Sequence, residues 1–228
     1  MRKWDELPDS LRLPEVREYY DYLAGRRAGL LLKRVFDLCA ASLMMIILSP
    51  LFVILAAVIL LDSRGGVFFR QERVTQYGEI FRIHKFRTMI SDADKRGFSL
   101  TTKHDSRITR AGKYIRRWHL DEIPQLIDIL QGNMSFVGTR PEVPEYVRHY
   151  TPEMMATLLL PAGITSKASI IWQKKEAELL GTVKPQDTEK FYIEHILPEK
   201  MKYNLESIKN FTFWGDISLM LKTTLSLF

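Results

Sequence analysis

The longest uninterrupted pattern in the chain is apolar. Residues 38–61 carry no charge, and Ser49-Pro50 breaks the run near its centre. Lys33 and Arg34 precede it; Arg64, Arg70 and Arg73 follow. About 20 apolar residues suffice to cross a bilayer, and Lys/Arg mark the cytoplasmic flank of such a segment. Here both flanks qualify. A proline-kinked span would put one basic cluster on the far side. A segment that enters, bends at Ser49-Pro50 and returns keeps both on one side. Each arm of about a dozen residues would reach roughly 18 Å, a little past the middle of a hydrocarbon core about 30 Å thick. Pro50 has no N–H and crowds the Ile46 carbonyl. The Ser49 hydroxyl is expected to bond back to the Met45 carbonyl, which encourages bending. The charge symmetry makes the re-entrant form the expectation and the kinked span its alternative.

The remaining patterns are shorter. Residues 14–23 read as a helix with Pro14 in its first turn, ended near Gly25, with Val16, Tyr19, Tyr20 and Leu23 on one face. Residues 67–74 and 80–89 read as strands joined by a turn around Gln76-Tyr77-Gly78-Glu79. Phe81, Ile83 and Lys85 would face one side, and Arg82, His84 and Phe86 the other. Leu120, Ile123, Leu126, Ile127 and Leu130 recur at helical spacing and stop at Gly132. Pro124 then requires that helix to start at or just before Asp121. Residues 211–228 place Phe213, Trp214, Ile217, Leu221, Leu225 and Phe228 near i, i+3/4 spacing, but include Asp216 and Lys222. That segment reads as an interfacial or core-packed helix.

The expected fold class is α+β and mainly helical. It is that of a monotopic membrane protein with a re-entrant helix-break-helix, interfacial amphipathic helices and a small β-hairpin. Residues 1–32 form a polar lead-in, 33–64 the re-entrant helix, and 65–228 a domain on the cytosolic face.

Composition narrows the partners. Of 228 residues 46% are hydrophobic, but many lie in the single run and build no soluble core. The charge of +6 and pI near 9.3 suit an anionic partner. Residues 103–119 concentrate Lys103, Arg107, Arg110, Lys113, Arg116 and Arg117 against Asp105, with Ile108, Tyr114 and Ile115 as a partial apolar face. Beside a membrane segment, anionic lipid adds ~1 kcal/mol of attraction per basic residue near the surface. No helix-turn-helix, zinc-ligand or RNP-like pattern accompanies the charge, so no nucleic-acid partner is expected. Cys39, the single cysteine, lies inside the run. An intrachain disulfide is therefore excluded, which fits a reducing compartment. The run starts too late and is too long for a secretory signal.

The candidate chemistry sits at Asp121-Glu122. At a helix start, carboxylates meet the positive end of the dipole and stay ionised, as a nucleophile or Mg²⁺ ligand must. The unpaired N–H groups there also suit phosphate. An N-cap Asp followed by a dipole-pairing Glu is the plainer alternative. Context favours chemistry: Arg116 and Arg117 lie upstream, and Gly138 and Arg140 form a turn downstream. Arg140 can fork two phosphate oxygens. An acid pair, a basic approach and a Gly–Arg turn suit phosphoryl transfer, where electrostatics and positioning dominate.

Six motifs then occur in order: Lys33-Arg34-Val35-Phe36-Asp37; the run with Ser49-Pro50; Phe69-Arg70-Gln71-x-Arg73; Lys85-Phe86-Arg87-Thr88-Met89; Leu120-Asp121-Glu122-Ile123-Pro124-Gln125-Leu126; and Met134-Ser135-Phe136-Val137-Gly138-x-Arg140-Pro141. Together they resemble the monotopic bacterial sugar transferases called polyprenol-phosphate phosphoglycosyl transferases, in their small catalytic-domain-only form. The resemblance implies transfer of a sugar-phosphate from a UDP-sugar to undecaprenyl phosphate with release of UMP. This is the first membrane step of polysaccharide or glycoconjugate assembly. It implies Mg²⁺, a covalent intermediate, and a place on the cytoplasmic face of the bacterial inner membrane, and it allows a homodimer. Asp121 matches the nucleophile that attacks the β-phosphorus. Glu122 matches its Mg²⁺-binding partner, with Asp121 beside it as a further ligand. Arg116 and Arg140 match phosphate contacts, and Lys85, Arg87 and Arg107 join them as candidate substrate-binding residues.

The chain also departs from the family pattern. Gly138-Thr139-Arg140-Pro141 replaces Gly-Pro-Arg-Pro, so a looser turn is expected, and Thr75 stands where Gly is usual. The family's Arg-Pro-Gly-Ile-Thr-Gly-Trp-Ala stretch reads Pro161-Ala162-Gly163-Ile164-Thr165-Ser166-Lys167-Ala168, without the Arg and Trp. The alternative to an enzyme is a basic, membrane-anchored scaffold that recruits glycan or lipid enzymes. A phosphatase ranks low because no D-x-D element surrounds Asp121.

Overall fold

The computed structural model describes residues 1–91 and 105–226. Helix α1 (Pro14–Ala24) opens on Pro14, stops at Gly25 and buries Val16, Tyr19, Tyr20 and Leu23, as the spacing predicts. Helix α2 (Arg27–Asp62) is followed by strands β1 (Phe68–Val74) and β2 (Ile80–Phe86) and helices α3 (Arg110–Arg117) and α4 (Gln125–Gln131). Then come β3 (Met134–Val137), α5 (Pro144–Val147), β4 (Ala162–Thr165), α6 (Lys167–Thr182), α7 (Thr188–Phe191), α8 (Leu197–Lys209) and α9 (Phe213–Ser226). The architecture is mainly helical α+β with one long apolar helix. Lys103 and Phe228 lie outside the described residues.

Helix α2 runs unbroken for 36 residues with Pro50 inside it. A proline at 50 withdraws the N–H that the Ile46 carbonyl would accept. The Ser49 hydroxyl donates to that carbonyl at 2.8 Å. Met45, the expected acceptor, already lies in the intact ladder, so the hydroxyl turns to the carbonyl that the proline orphans. Around this point Ile46 (72% exposed), Ile47 and Val53 project outward, and only 11% of the most apolar stretch is buried. The helix is therefore long and apolar enough to enter a membrane, and it is not a soluble core helix.

Both ends of α2 are tied to the same body. At its start, Lys33 Nζ donates to the Val137 carbonyl at 2.9 Å and to Asp216 at 2.6 Å, and Arg34 donates to the Ile129 carbonyl at 2.8 Å. At its end, Asp62 accepts from Ala111 N at 3.0 Å, and Arg87 donates to the Ser63 carbonyl at 2.7 Å. Ala41 packs with Phe81, Leu126 and Phe136, while Leu55 and Ile59 pack with Phe86 and Ile115. The segment before α2 shares its core with the body after it: Leu11, Tyr19 and Leu23 pack with Val74, Leu159 and Ile208.

Strands β1 and β2 pair antiparallel, with Arg73 opposite Phe81. Their connection turns through Tyr77 (φ 61°) and Gly78 (φ 79°). Both faces of β2 carry buried residues, while Ile80 and Arg82 near its start are exposed. Phe81 and Ile83 pack toward α4; on the other face Phe86 meets Phe52 at 4.7 Å between ring centroids, and His84 is buried against Asp128 at 2.7 Å. Strand β2 ends at Phe86 rather than Met89, which forms an isolated bridge to Ile108. A second sheet, β3 parallel to β4, was not foreseen. Its four-residue strands are too short and too fully buried to show a period. In the basic tract Ile115 is buried but Tyr114 is exposed.

Candidate active site

The acid pair is placed by a sequence of local constraints. Thr109 caps α3 by accepting from Gly112 N at 3.0 Å. A Cβ on Gly112 would stand 2.1 Å from the Thr88 carbonyl oxygen, so glycine lets α3 lie against the backbone that leaves β2. After α3, His119 adopts φ 53° and turns the chain into a 3₁₀ turn at Leu120–Glu122. Helix α4 begins only at Gln125, with Pro124 at its cap and no side-chain cap bond. The start expected at Asp121 is thus displaced by a turn, because the ring of Pro124 fits a helix entry and not its interior. The capping alternative fails for the same reason: neither acid caps α4.

Glu122 is held from two sides. Lys85 on β2 donates to its Oε1 at 2.9 Å, and Arg140 donates to the same oxygen at 2.6 Å. Burial works to raise the Glu122 carboxyl, but Arg140 and Lys85 hold it well below the usual carboxylate range. Glu122 in turn holds the Arg140 guanidinium above its ordinary value. Burial and the Arg140 charge lower the Lys85 ammonium, against Glu122. Asp121 behaves oppositely. Burial and the neighbouring Glu122 raise its carboxyl, against Lys85 and Arg116, and no ion pair engages its side chain among the described residues. Two adjacent carboxyls whose environments push them apart take different roles. One is a neutralised anchor; the other is more basic and has no ion pair among the described residues.

The structure brings Lys85, Asp121, Glu122 and Arg140 together. Arg116 stands alongside; its Nε donates to Thr88 Oγ1 at 2.8 Å and its charge acts on Asp121. Arg107 lies against Asp105, Nη2 to Oδ2 at 2.6 Å. Arg87 is elsewhere: it is buried at the end of α2, where it donates to the Ser63 and Arg64 carbonyls at 2.7 and 3.1 Å. Ser49 and Pro50 remain at the middle of α2.

A cleft of about 730 Å³ opens beside Glu122. Glu122, Arg140, Glu176 and Lys200 give it a charged end, and Met44 and Leu48 of α2, with Phe136 and Met220, give it an apolar wall. Sequence reasoning missed the contribution of α6 and α8. The signal was present as Ser169, Gln173 and Glu176 at i, i+4, i+7, a polar stripe on a helix that is otherwise of mixed character.

The departures from the family pattern have local compensation. Gly138 and Gly163 bring β3 and β4 so close that a Cβ on Gly163 would stand 2.1 Å from Gly138 N. The turn at Thr139 is pinned, because Gly138 N donates to the Thr165 carbonyl at 3.0 Å and Gly163 N to that of Thr139 at 2.9 Å. Thr75 donates to the Asn133 carbonyl at 2.5 Å and accepts from Ala162 N at 3.1 Å, tying the hairpin to both β3 and β4. Ser166 caps α6 through Ser169 N at 2.9 Å, and Lys167 pairs with Glu206 at 2.8 Å.

The donor set fits a magnesium ion shared with a substrate. Mg²⁺ commonly binds one or two carboxylates and completes its shell with phosphate oxygens and water. Asp121 and Glu122 are adjacent, and Glu122 Oε2 has no hydrogen-bond partner among the described residues. Those residues hold no group of three His, Cys, Asp or Glu that would form a cage from protein alone.

Residues 28–228 match the family model described as bacterial sugar transferase. The chain is 33% identical over 195 residues to the UDP-N-acetylgalactosamine-undecaprenyl-phosphate N-acetylgalactosaminephosphotransferase of Aeromonas hydrophila, covering 84% of this chain and 42% of that protein. It is 34% identical over 198 residues to the undecaprenyl-phosphate glucose phosphotransferase of Komagataeibacter xylinus, covering 84% of this chain and 35% of the relative. A UDP-glucose:undecaprenyl-phosphate glucose-1-phosphate transferase of Caulobacter vibrioides is 30% identical over 198 residues, with 86% of this chain and 69% of the relative covered. The chain thus spans less than half of the first two relatives.

Proposed function

Because the chain belongs to the bacterial sugar transferase family, we propose that it moves a sugar-1-phosphate from a UDP-sugar to undecaprenyl phosphate and releases UMP. Undecaprenyl phosphate appears in the names of all three relatives and a UDP-sugar in two. The observation that carries the reading is the division of labour in the acid pair. Glu122 is fixed by Lys85 and Arg140 and lines a cleft that reaches α2, while Asp121, the adjacent residue, has no ion pair among the described residues.

An Asp121 carboxylate oxygen attacks the β-phosphorus of the donor. A phosphorus–oxygen bond forms to Asp121, the bond to the bridging oxygen breaks, and UMP leaves with that electron pair. An oxygen of undecaprenyl phosphate then attacks the same phosphorus and expels Asp121, which regains its charge. The nucleophile splits one transfer between two anions into two steps. Arg140 and Arg116 hold phosphate oxygens during both, and Lys85 keeps Glu122 in place. Asp121 and Glu122 would hold Mg²⁺, which neutralises the diphosphate and the departing UMP when bound.

The re-entrant form of α2 belongs to the same proposal. Basic flanks on both sides, anchors at both ends and a core shared by the segments before and after α2 support one-sided entry. The basic flanks support a place on the cytoplasmic face, and membership of a bacterial family supports the inner membrane. Cysteine labelling at Arg2 and at Arg64 should report the same side; opposite sides would mean a crossing.

The reaction is tested by UMP release from a panel of UDP-sugars with undecaprenyl phosphate and Mg²⁺. Wild-type protein should turn over at least one donor, and Asp121→Asn should not. Mass spectrometry after donor alone should find a phosphosugar adduct on the Asp121 peptide. Full activity of Asp121→Asn removes it as nucleophile. Absence of turnover with every donor returns the chain to the scaffold reading.

A further inference from the structure

The cleft has a second charged group that the chemistry above does not use. Glu176 on α6 and Lys200 on α8 pair at 3.0 Å in its wall, and Lys200 also donates to the Tyr192 hydroxyl at 3.0 Å. Lys200 is buried, and its third N–H has no acceptor among the described residues. Glu176 accepts through Oε2 only, which leaves Oε1 open. One and two turns earlier on α6, Gln173 and Ser169 line the same cleft. We infer that Gln173, Glu176 and Lys200 recognise the pyranose of the donor and set which sugar is accepted. This rests on the reaction proposed above.

The chemistry narrows the ligand. The sugar hangs from the phosphorus that Asp121 attacks, so its ring must lie within a few ångströms of Glu122 and Arg140, in this cleft. A pyranose presents hydroxyls that donate and accept at once. A carboxylate oxygen, an ammonium N–H and a side-chain amide are the complementary set. The Glu176–Lys200 pair is neutral as a unit, which suits an uncharged hexose or N-acetylhexosamine over a uronic acid. The apolar wall at Met44, Leu48 and Met220 offers no hydroxyl partner and is left for the isoprenoid. The position also fits the departures in this chain. Ser166 and Lys167 stand where the family has Gly and Trp, and both are spent on capping α6 and pairing with Glu206. The polar surface of α6 lies farther along, from Ser169 to Glu176.

Glu176→Gln and Gln173→Ala test the assignment in the full chain. Gln173 is exposed and bears one weak contact, to His119 at 3.2 Å, so its variant folds even where Glu176→Gln is destabilised. With the best donor of the wild-type panel, Glu176→Gln should raise the donor KM about tenfold or more, and Gln173→Ala several-fold. The rank order of sugars should change, and the KM for undecaprenyl phosphate should not. Unchanged donor KM and ranking in both variants overturns the assignment and leaves the pair as a tie between α6 and α8. An equal rise for every UDP-sugar also overturns it, since that pattern belongs to the nucleotide. No UMP release by wild-type protein from any donor overturns the reaction itself, and the assignment with it.

Discussion

Arg140 donates to Glu122 Oε1 at 2.6 Å, the oxygen that Lys85 also reaches at 2.9 Å. Two cations on one oxygen lock the carboxylate in rotation and leave its second oxygen free. The same arrangement deprives Asp121, the next residue back, of an ion pair of its own. Nearly all of the local positive charge is committed to Glu122, and Asp121 receives only the longer-range field of Lys85 and Arg116.

The two neighbours should therefore respond to neutral substitution with opposite signs. The folded-state pKa of Glu122 lies below its ordinary 4.5. Its contribution to stability is present above that pH and is lost as pH falls through the folded value. Glu122→Gln leaves Lys85 and Arg140 unpaired. Arg140 is 39% exposed, so solvent screening brings the cost below the ~3–5 kcal/mol of a fully buried pair, to roughly 2–3 kcal/mol, or a melting point about 4–12 °C lower at pH 7. The folded-state pKa of Asp121 lies above its ordinary 3.8. Its ionisation costs stability, fully so once pH exceeds the folded value. Asp121→Asn should raise the melting point by about 1–4 °C while abolishing UMP release. Thermal melts of both variants in the same detergent give the signs directly.

Much of this site was legible in the sequence, and the limits were physical. Asp121, Glu122 and Arg140 are close in the chain and surrounded by turn residues, so their proximity could be read from spacing. Lys85 was legible only as part of a motif, because its contact with Glu122 depends on how β2 passes the 3₁₀ turn. Arg87 and Lys85 are two apart in the segment read as one strand from 80 to 89, and looked equivalent. Alternation could not separate them, since residues two apart in a strand share a face. What separates them is the end of β2 at Phe86, after which Arg87 turns to the end of α2. Of the contribution of α6 and α8 the sequence carries only the polar stripe Ser169, Gln173 and Glu176. That this stripe lines the cleft beside Glu122 depends on a parallel pairing of β3 and β4, whose strands are too short to leave a period.

Arg87 should act on stability rather than on substrate. Its guanidinium satisfies carbonyls at the end of α2, where a cation also meets the negative end of the helix dipole. Arg87→Met should cost about 2–3 kcal/mol by thermal melt. The donor KM of the protein that remains folded should stay within about twofold of wild type. A large rise in KM without loss of stability would return Arg87 to the substrate site.

Ser49 and Pro50 should be energetically coupled. Pro50 removes the donor for the Ile46 carbonyl, and the Ser49 hydroxyl replaces it at 2.8 Å in apolar surroundings. Ser49→Ala alone should cost about 1–2 kcal/mol, because the carbonyl is left unsatisfied. In a Pro50→Ala background residue 50 supplies its own N–H, and the further change Ser49→Ala should cost less than about 0.5 kcal/mol. Pro50→Ala should also favour a straight helix, so cysteine labelling at Arg64 should shift toward the far side of the membrane. A double-mutant cycle in one membrane mimetic measures the coupling; independent, additive effects would show that the hydroxyl does not serve this carbonyl.

Gly163 should tolerate no side chain, although it belongs to neither the acid pair nor the cleft's charged end. An added Cβ would stand 2.1 Å from Gly138 N and 2.4 Å from Gly138 O, both backbone atoms that cannot swing aside. Relief requires β4 to separate from β3. That separation breaks the bonds from Gly138 N to Thr165 and from Gly163 N to Thr139, which pin the turn carrying Arg140. Gly163→Ala should thus cost about 2–3 kcal/mol as an overpacked core position. Any folded protein should also lose at least about tenfold in kcat, because Arg140 no longer holds Glu122 at 2.6 Å. Gly181, with open space around it, is the control: Gly181→Ala at this exposed helical position should leave activity unchanged and stability equal or slightly improved. Comparing kcat and melting point for the two alanine variants separates a close backbone approach from a general intolerance of substitution.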